Sequence, residues 1–203
     1  MDIHKIAVLG AGQMGNGIAQ VAAFAGFQVT MIDIKQEYVD KGLSTIERSL
    51  DKLVSKEKIT LQSANDARSN LSISTDKQSA ADADLVIEAI PEIPELKFST
   101  FMELDQICKE GAILASNTSS ISIDDIANST SRPKMVIGMH FMNPVPIMKL
   151  VEVITGTKTD DEVRDSVVAA AEKMGKVALC CKDSPGFISN RLLCPMLNEA
   201  ILS

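Results

Sequence analysis

Residues 6–15 read Ile6-Ala7-Val8-Leu9-Gly10-Ala11-Gly12-Gln13-Met14-Gly15, and this stretch decides the fold of the chain. Ile6–Leu9 is a short apolar run that ends on a glycine, the pattern of a buried strand running into a turn. Gln13 to Phe24 follows with Ile18, Val21, Ala22 and Ala25 at helical spacing. An isolated G-x-G-x-x-G is weak evidence, because glycine turns are common; a strand before it and a helix after it supply the context that gives it meaning. Gly10 permits the tight turn, Gly12 lets backbone approach a pyrophosphate, and Gly15 lets helix and strand pack closely. The unpaired N–H groups of the helix start then face an anion. Asp33 closes the next apolar run, Val29-Thr30-Met31-Ile32, 18 residues past Gly15, against about 20 in the dinucleotide fingerprint. A carboxylate there accepts hydrogen bonds from ribose hydroxyls and repels a 2′-phosphate, so NAD is expected rather than NADP.

On either side of this turn, apolar runs alternate with helical periods. Ile6–Leu9, Val29–Ile32, Leu85–Ala89, Ile113–Ala115, Met135–Met139, Leu150–Ile154 and Val177–Leu179 read as strands. Their lack of polar alternation suits strands covered on both faces. Tyr38–Lys58 reads as the clearest helix, with Val39, Leu43, Ile46, Leu50 and Leu53 on one side and charged residues on the other. The alternation predicts an α/β fold, a doubly wound and mostly parallel Rossmann-type sheet. Ser122 is placed to cap a helix starting at Ile123. A turn cluster, Lys182-Asp183-Ser184-Pro185-Gly186, marks a boundary that divides the chain into residues 1–183 and 184–203. Beyond it Leu193, Met196, Leu197, Ala200 and Ile201 return at helical spacing with nothing after them to pack on. That is the mark of a truncated product or a docking element, or else of a last helix folded back on the sheet.

Composition removes several classes. The 203 residues carry a net charge of −7, and aromatic residues make up 3% with no Trp; neither a nucleic-acid backbone nor stacked bases are expected partners. No apolar run approaches the roughly 18 residues of a membrane span, so no membrane partner is expected. The start leaves no room for a leader. Cys108, Cys180, Cys181 and Cys194 form no C-x-x-C pair, and His4 and His140 are the two histidines, so no metal site is expected. A reduced, cytoplasmic protein is the plain reading, with an imported protein that has lost its leader as the alternative.

A cofactor turn names no substrate; the second half of the chain points to one. Ser116-Asn117-Thr118-Ser119-Ser120, Gly138-Met139-His140-Phe141-Met142-Asn143-Pro144-Val145, Lys149-Leu150-Val151-Glu152-Val153 and Asp183-Ser184-Pro185-Gly186-Phe187-Ile188-Ser189-Asn190-Arg191 occur in that order. Together with the glycine turn they closely resemble the 3-hydroxyacyl-CoA dehydrogenase family, including the bacterial 3-hydroxybutyryl-CoA dehydrogenases, from Ile6 to the end. The resemblance implies NAD-dependent oxidation of a 3-hydroxyacyl-CoA to the 3-oxoacyl-CoA, or the reverse. It implies His140 as the catalytic histidine, Glu152 as its partner, and Ser119 and Asn190 as substrate contacts. Implied cofactor contacts are Gly10, Ala11, Gly12, Gln13, Met14, Gly15, Asp33, Glu92, Lys97, Ser119 and Asn143. Ser49, Lys56 and Ser119 are implied near CoA. Family members continue into an all-helical domain that closes the cleft and dimerises; Phe187–Ser203 matches its first helix. This implies a homodimer when that domain is complete, and NAD binding with little catalysis for a chain without it.

The chemistry can be argued apart from the resemblance. Oxidising a secondary alcohol requires removal of the hydroxyl proton as hydride leaves carbon, and an imidazole with a pKa near ~6.5 suits that transfer. A carboxylate on the other ring nitrogen fixes the tautomer and stabilises the cation. Glu152, a turn and a strand beyond His140, can reach it, and a carboxylate inside an apolar strand is costly unless paired. Plainer readings stand beside these: His140 as a core histidine, Ser119 as a loop residue, Asn190 as a solvent-facing one. Glu92 can equally be a charged turn residue, and Lys97 and Lys56 surface lysines. Two other functions remain open, a non-catalytic NAD-binding or structural relative and a 3-hydroxyacid dehydrogenase acting on a free acid. The second relies on a lysine where this chain has Asn190.

Overall fold

A computed structural model describes residues 1–203. The glycine turn sits where the sequence places it, between strand β1 (Lys5–Leu9) and helix α1 (Gln13–Phe24). The other strands are β2 (Gln28–Ile32), β3 (Leu71–Ser74), β4 (Leu85–Glu88), β5 (Ile113–Ser116), β6 (Val136–Phe141), β7 (Leu150–Thr155) and β8 (Val177–Lys182). They form one eight-stranded sheet in the order β3-β2-β1-β4-β5-β6-β7-β8. Pairing is parallel from β3 through β6; β7 runs antiparallel to β6, and β8 parallel to β7. The chain reverses outward on either side of β1 and β4, the switch point at which open α/β sheets bind ligands beyond their strand ends.

Helices α2 (Gln36–Ser55), α3 (Leu61–Ser69), α4 (Pro94–Ile107), α5 (Ile123–Asn128), α6 (Asp161–Lys173) and α7 (Ser189–Leu202) complete the fold. Two apolar clusters, one on each face of the sheet, form the core. Ile6 and Val8 of β1 point into the one with α1 and α2, and Ala7 and Leu9 into the one with α4 and α5. The period-two alternation of a strand buried on both faces explains the unbroken apolar runs. Thr60 and Ser122 cap α3 and α5 with side-chain oxygens.

The structure departs from sequence expectation in bounded ways. β3 is a half-buried edge strand, and its Leu-Ser-Ile-Ser pattern lacked an apolar run to mark it. The long helix ends at Ser55, so Lys56 is its C-terminal cap residue rather than part of it, and Glu57 turns the chain with φ 55°. β6 extends two residues beyond Met139 to take in His140 and Phe141. No residue of α7 is buried, so the helix is not folded back on the sheet; Leu192, Met196, Ile201 and Leu202 are all more than half exposed.

Candidate active site

A cleft of about 860 Å³ opens over the C-terminal ends of β1, β2 and β4, lined by Gly10 to Met14, Asp33, Tyr38, Lys41 and Ala89 to Pro91 among others. The glycines have distinct reasons to be there. A Cβ on Gly15 would lie 1.7 Å from the Gly10 carbonyl oxygen, and one on Gly10, whose φ is +101°, would lie 2.5 Å from that of Ala89. At Gly12 the same Cβ would meet nothing within 4 Å, so this glycine answers to no protein neighbour. It is the N-cap of α1, and no side chain satisfies the helix start. The result is a concave, uncapped helix N-terminus, which fits a pyrophosphate. Asp33 lines the cleft; its Oδ2 accepts from the Ala11 N–H at 2.7 Å and its Oδ1 from the Ile34 N–H at 2.7 Å. A carboxylate has about four acceptor positions, so lone pairs remain for the hydroxyls of a ribose. The donor set therefore fits a dinucleotide without a 2′-phosphate.

At the far side of the sheet's centre, β6 and β7 place His140 and Glu152 opposite each other in register. Neighbours directly across an antiparallel pair share a face, and here Nδ1 lies 2.7 Å from Glu152 Oε2. Glu152 is 0% exposed. Its second oxygen, Oε1, accepts from the N–H groups of Ile188 (3.1 Å) and Ser189 (2.7 Å) and from the Ser189 hydroxyl (2.9 Å). Burial pushes the Glu152 carboxyl up, but the His140 and Ser189 hydrogen bonds outweigh it and hold the group below the ordinary carboxylate range. An ionised carboxylate only accepts, so Nδ1 carries a proton. In the neutral ring Nε2 is then the lone-pair nitrogen, and the Ser119 hydroxyl lies 3.1 Å from it.

Ser119 is exposed at the mouth, and the Asn190 side-chain amide donates to its carbonyl at 3.2 Å. His140, Glu152, Ser119 and Asn190 therefore converge, drawn from β6, β7, the loop after β5 and the start of α7. Glu92 accepts from the Ser119 N–H at 2.9 Å and from the Thr118 hydroxyl, and lies 3.2 Å from the Lys97 ammonium. Lys97 is 1% exposed and bonded to Glu88 at 2.6 Å, which is not the surface lysine that the plain reading allowed. Asn143 accepts from the Gln13 side-chain amide at 3.1 Å, tying the glycine turn to the loop after β6. Ser49 and Lys56 neither line the cleft nor bond to the histidine pair.

Sequence reading missed three contributors. Phe187, 3% exposed, stands edge-on to His140 with ring centroids 6.0 Å apart and sits at φ 50°; an aromatic in that region is strained by about 1–3 kcal/mol, and its place in the Asp183–Arg191 motif gave no sign of this role. Ser189 bonds Glu152 as described. Glu88 is the third, and a signal existed: a charged residue closing the buried run Leu85-Val86-Ile87 is costly unless paired.

A family model described as 3-hydroxyacyl-CoA dehydrogenase, NAD binding domain, matches residues 5–184. A probable 3-hydroxybutyryl-CoA dehydrogenase of Deinococcus radiodurans is 54% identical over 197 residues, which is 97% of this chain and 70% of the relative. One from Bacillus subtilis is 52% identical over 201 residues, 99% of this chain and 70% of its own length. Among solved structures, the (S)-3-hydroxybutyryl-CoA dehydrogenase from Ralstonia eutropha superposes with a TM-score of 0.96 at 46% identity, covering 98% of this chain and 70% of that one. No helix is long and apolar enough to cross a membrane.

Proposed function

The chain belongs to the 3-hydroxyacyl-CoA dehydrogenase family, through its NAD-binding domain, and from that premise we propose that it interconverts 3-hydroxyacyl-CoA and 3-oxoacyl-CoA with His140 as acid and base. The observation that carries this reading is the line Ser119 Oγ–His140 Nε2, 3.1 Å, and His140 Nδ1–Glu152 Oε2, 2.7 Å. The relatives named as 3-hydroxybutyryl-CoA dehydrogenases support the substrate class.

The glycine turn, the α1 N-terminus and Asp33 would hold NAD, and the bound nicotinamide supplies or takes the hydride. The protein's own part is the proton. In the oxidising direction, His140 Nε2 takes the proton of the 3-hydroxyl, whose oxygen replaces or joins the Ser119 hydroxyl at that nitrogen. The imidazolium so formed is stabilised through Nδ1 by the ionised Glu152. In the reducing direction the same Nε2–H donates to the 3-oxo oxygen. Ser119 Oγ, within reach of Nε2, supplies a second hydrogen bond to that oxygen, and Asn190 holds the Ser119 loop through its carbonyl. Such positioned donors stabilise the charge that develops on oxygen. Phe187 against the ring narrows the room for water, which strengthens each of these contacts.

Glu92, Lys97 and Asn143 are placed in the same reading around the cofactor side of Ser119, and Ser49 and Lys56 toward CoA. The division at residues 183 and 184 is supported by where the family match ends and by α7, which buries no residue. The test is direct. The purified full-length enzyme, complete with the helical domain, is expected to consume NADH with acetoacetyl-CoA, and its His140→Gln variant to lose that turnover while keeping NADH affinity. Residues 1–203 alone are expected to bind NADH with little turnover. Failure to reduce any 3-oxoacyl-CoA overturns the reaction class; undiminished turnover in His140→Gln overturns the acid–base role.

A further inference from the structure

The acid–base pair makes no use of a second fully buried carboxylate in the same sheet. Glu88 ends β4 and is 0% exposed. Its Oε1 accepts from the Lys97 ammonium at 2.6 Å and from the Ile90 N–H at 2.8 Å, and its Oε2 accepts from the Ser116 hydroxyl at 2.7 Å. Glu88 thus fixes three pieces of backbone at once: the loop after β4 that walls the cofactor cleft, the first turns of α4, and the end of β5. Lys97 has a second carboxylate in reach, Glu92 at 3.2 Å, and Glu92 is 39% exposed. Glu92 in turn accepts from the Ser119 N–H at 2.9 Å. The path from the floor of the sheet to the hydroxyl beside His140 is therefore continuous: Glu88, Lys97, Glu92, Ser119.

A half-exposed carboxylate has water as an alternative and keeps one orientation only if something fixed holds it. A lysine side chain is flexible and pins nothing until its own ammonium is anchored. Glu88 is that anchor, rigid because strand, loop and serine hydroxyl all bond to it. We propose that Glu88 is a positioning residue, which anchors Lys97 so that Lys97 holds Glu92 against the Ser119 amide and Ser119 presents its hydroxyl to His140. The inference rests on the acid–base reading for its catalytic consequence, and on geometry alone for its structural one.

Without the Glu88 charge, the buried ammonium of Lys97 has Glu92 as its remaining counter-charge, and Glu92 is drawn inward off the Ser119 amide. The experiment compares Glu88→Gln and the double variant Glu88→Gln/Lys97→Met with wild type, each in the full-length enzyme. It reads amide hydrogen exchange at Ser119, NADH affinity by fluorescence, melting temperature, and kcat with acetoacetyl-CoA. In Glu88→Gln, exchange at Ser119 is expected to quicken by about tenfold or more while amides of β1 and β2 keep their protection. kcat is expected to fall by about tenfold, with the NADH dissociation constant within about threefold of wild type. The double variant removes both buried charges, a change that is often neutral for stability. Its melting temperature should return toward wild type while Ser119 exchange stays fast and kcat stays low. It also stands in where Glu88→Gln alone fails to fold.

Unchanged exchange at Ser119, or a rise matched in β1 and β2, overturns the proposal. So does activity that returns with the melting temperature, since that is the mark of a merely structural role. In Glu88→Gln, which keeps Lys97, a loss of NADH affinity large enough to account for the whole rate loss overturns it as well. If wild type reduces no 3-oxoacyl-CoA, the reaction class falls, and the exchange measurement still decides the positioning.

Discussion

Glu152→Gln isolates a single charge at the centre of the site. The wild-type carboxylate accepts one bond from His140 Nδ1 and three from Ile188 and Ser189. A glutamine offers one acceptor oxygen and one two-proton donor, so it can serve only one side. If its oxygen faces His140, its NH2 group faces the N–H groups of Ile188 and Ser189. Each buried donor left without an acceptor costs about 1–3 kcal/mol, so this arrangement costs about 2–6 kcal/mol. If its oxygen faces Ser189 instead, every protein donor there is kept and the NH2 group faces Nδ1. That arrangement is cheaper and wins, and it forces Nδ1 to accept. The proton then sits on Nε2, which can no longer take one from a hydroxyl. The fold loses only the strength of charge-assisted bonds, about 1–2 kcal/mol, and the melting temperature falls by about 2–8 °C for a chain of this size. Turnover loses what an acid–base group supplies, about 100- to 10,000-fold. Initial rates of NADH consumption with acetoacetyl-CoA and a thermal melt read both quantities. A variant that keeps kcat within about threefold of wild type refutes the tautomer argument. One that loses tens of degrees refutes the choice of orientation.

Gly12→Ala and Gly15→Ala should part company: the first melts near wild type yet binds NADH at least tenfold more weakly, by titration of its fluorescence, because its methyl enters open space where the phosphates belong. The second forces its Cβ onto the Gly10 carbonyl, so its melting temperature falls as well. Asp33→Ala removes the acceptor of the Ala11 N–H and the ribose partner, and should weaken NADH binding while narrowing the preference over NADPH. Glu152, Glu92 and Asp105 all have carboxyls held below the ordinary range in the fold, each by hydrogen bonds that outweigh burial. Their stabilisation is in full force above the usual carboxylate pKa and drains as pH falls through the lowered folded values; melting temperature should hold at neutral pH and drop below about pH 4.5, less steeply in Glu152→Gln. Burial pushes the Cys108 and Cys181 thiols up to about 11, so iodoacetamide at mildly alkaline pH should label the exposed Cys180 and Cys194 first, read by peptide mass mapping.

The cofactor half of the molecule was legible because its signals are local. Gly10, Gly12, Gly15 and Asp33 are set by backbone sterics and strand ends, and each constraint is visible within a few residues of sequence. β3 was not legible, since an edge strand needs no second apolar face and its Ser72 and Ser74 read as loop. Lys97 was not legible as buried, for a different reason. On helix α4 it looks like any charged position, and only the packing of α4 over β4 brings it to Glu88 and buries both. Phe187 and Ser189 lie in a turn whose course across Glu152 is fixed by tertiary contact, with no pattern in the turn itself to declare it.

The pairing of His140 with Glu152 lies between these cases, and the sheet explains why it could be anticipated. In a wholly parallel sheet, neighbouring strands are separated by a crossover helix, and residues twelve apart would not lie abreast. β7 breaks that rule by returning antiparallel to β6, which puts Gly138 opposite Ile154, Met139 opposite Val153 and His140 opposite Glu152. Because side chains alternate across a strand, His140 and Glu152 share one face, and Met139 and Val153 share the other, in the α1-side core. The reversal thus faces His140 and Glu152 across two adjacent strands while keeping an apolar partner for each on the buried side. What register alone cannot do is keep a carboxylate charged at 0% exposure. That falls to the turn after β8, where the Ile188 and Ser189 N–H groups and the Ser189 hydroxyl meet Oε1. The strands set where Glu152 stands, and His140 together with the turn into α7 keeps it ionised there. A substitution confined to that turn, such as Ser189→Ala, should therefore slow turnover and raise the lower apparent pKa of the rate profile without displacing His140.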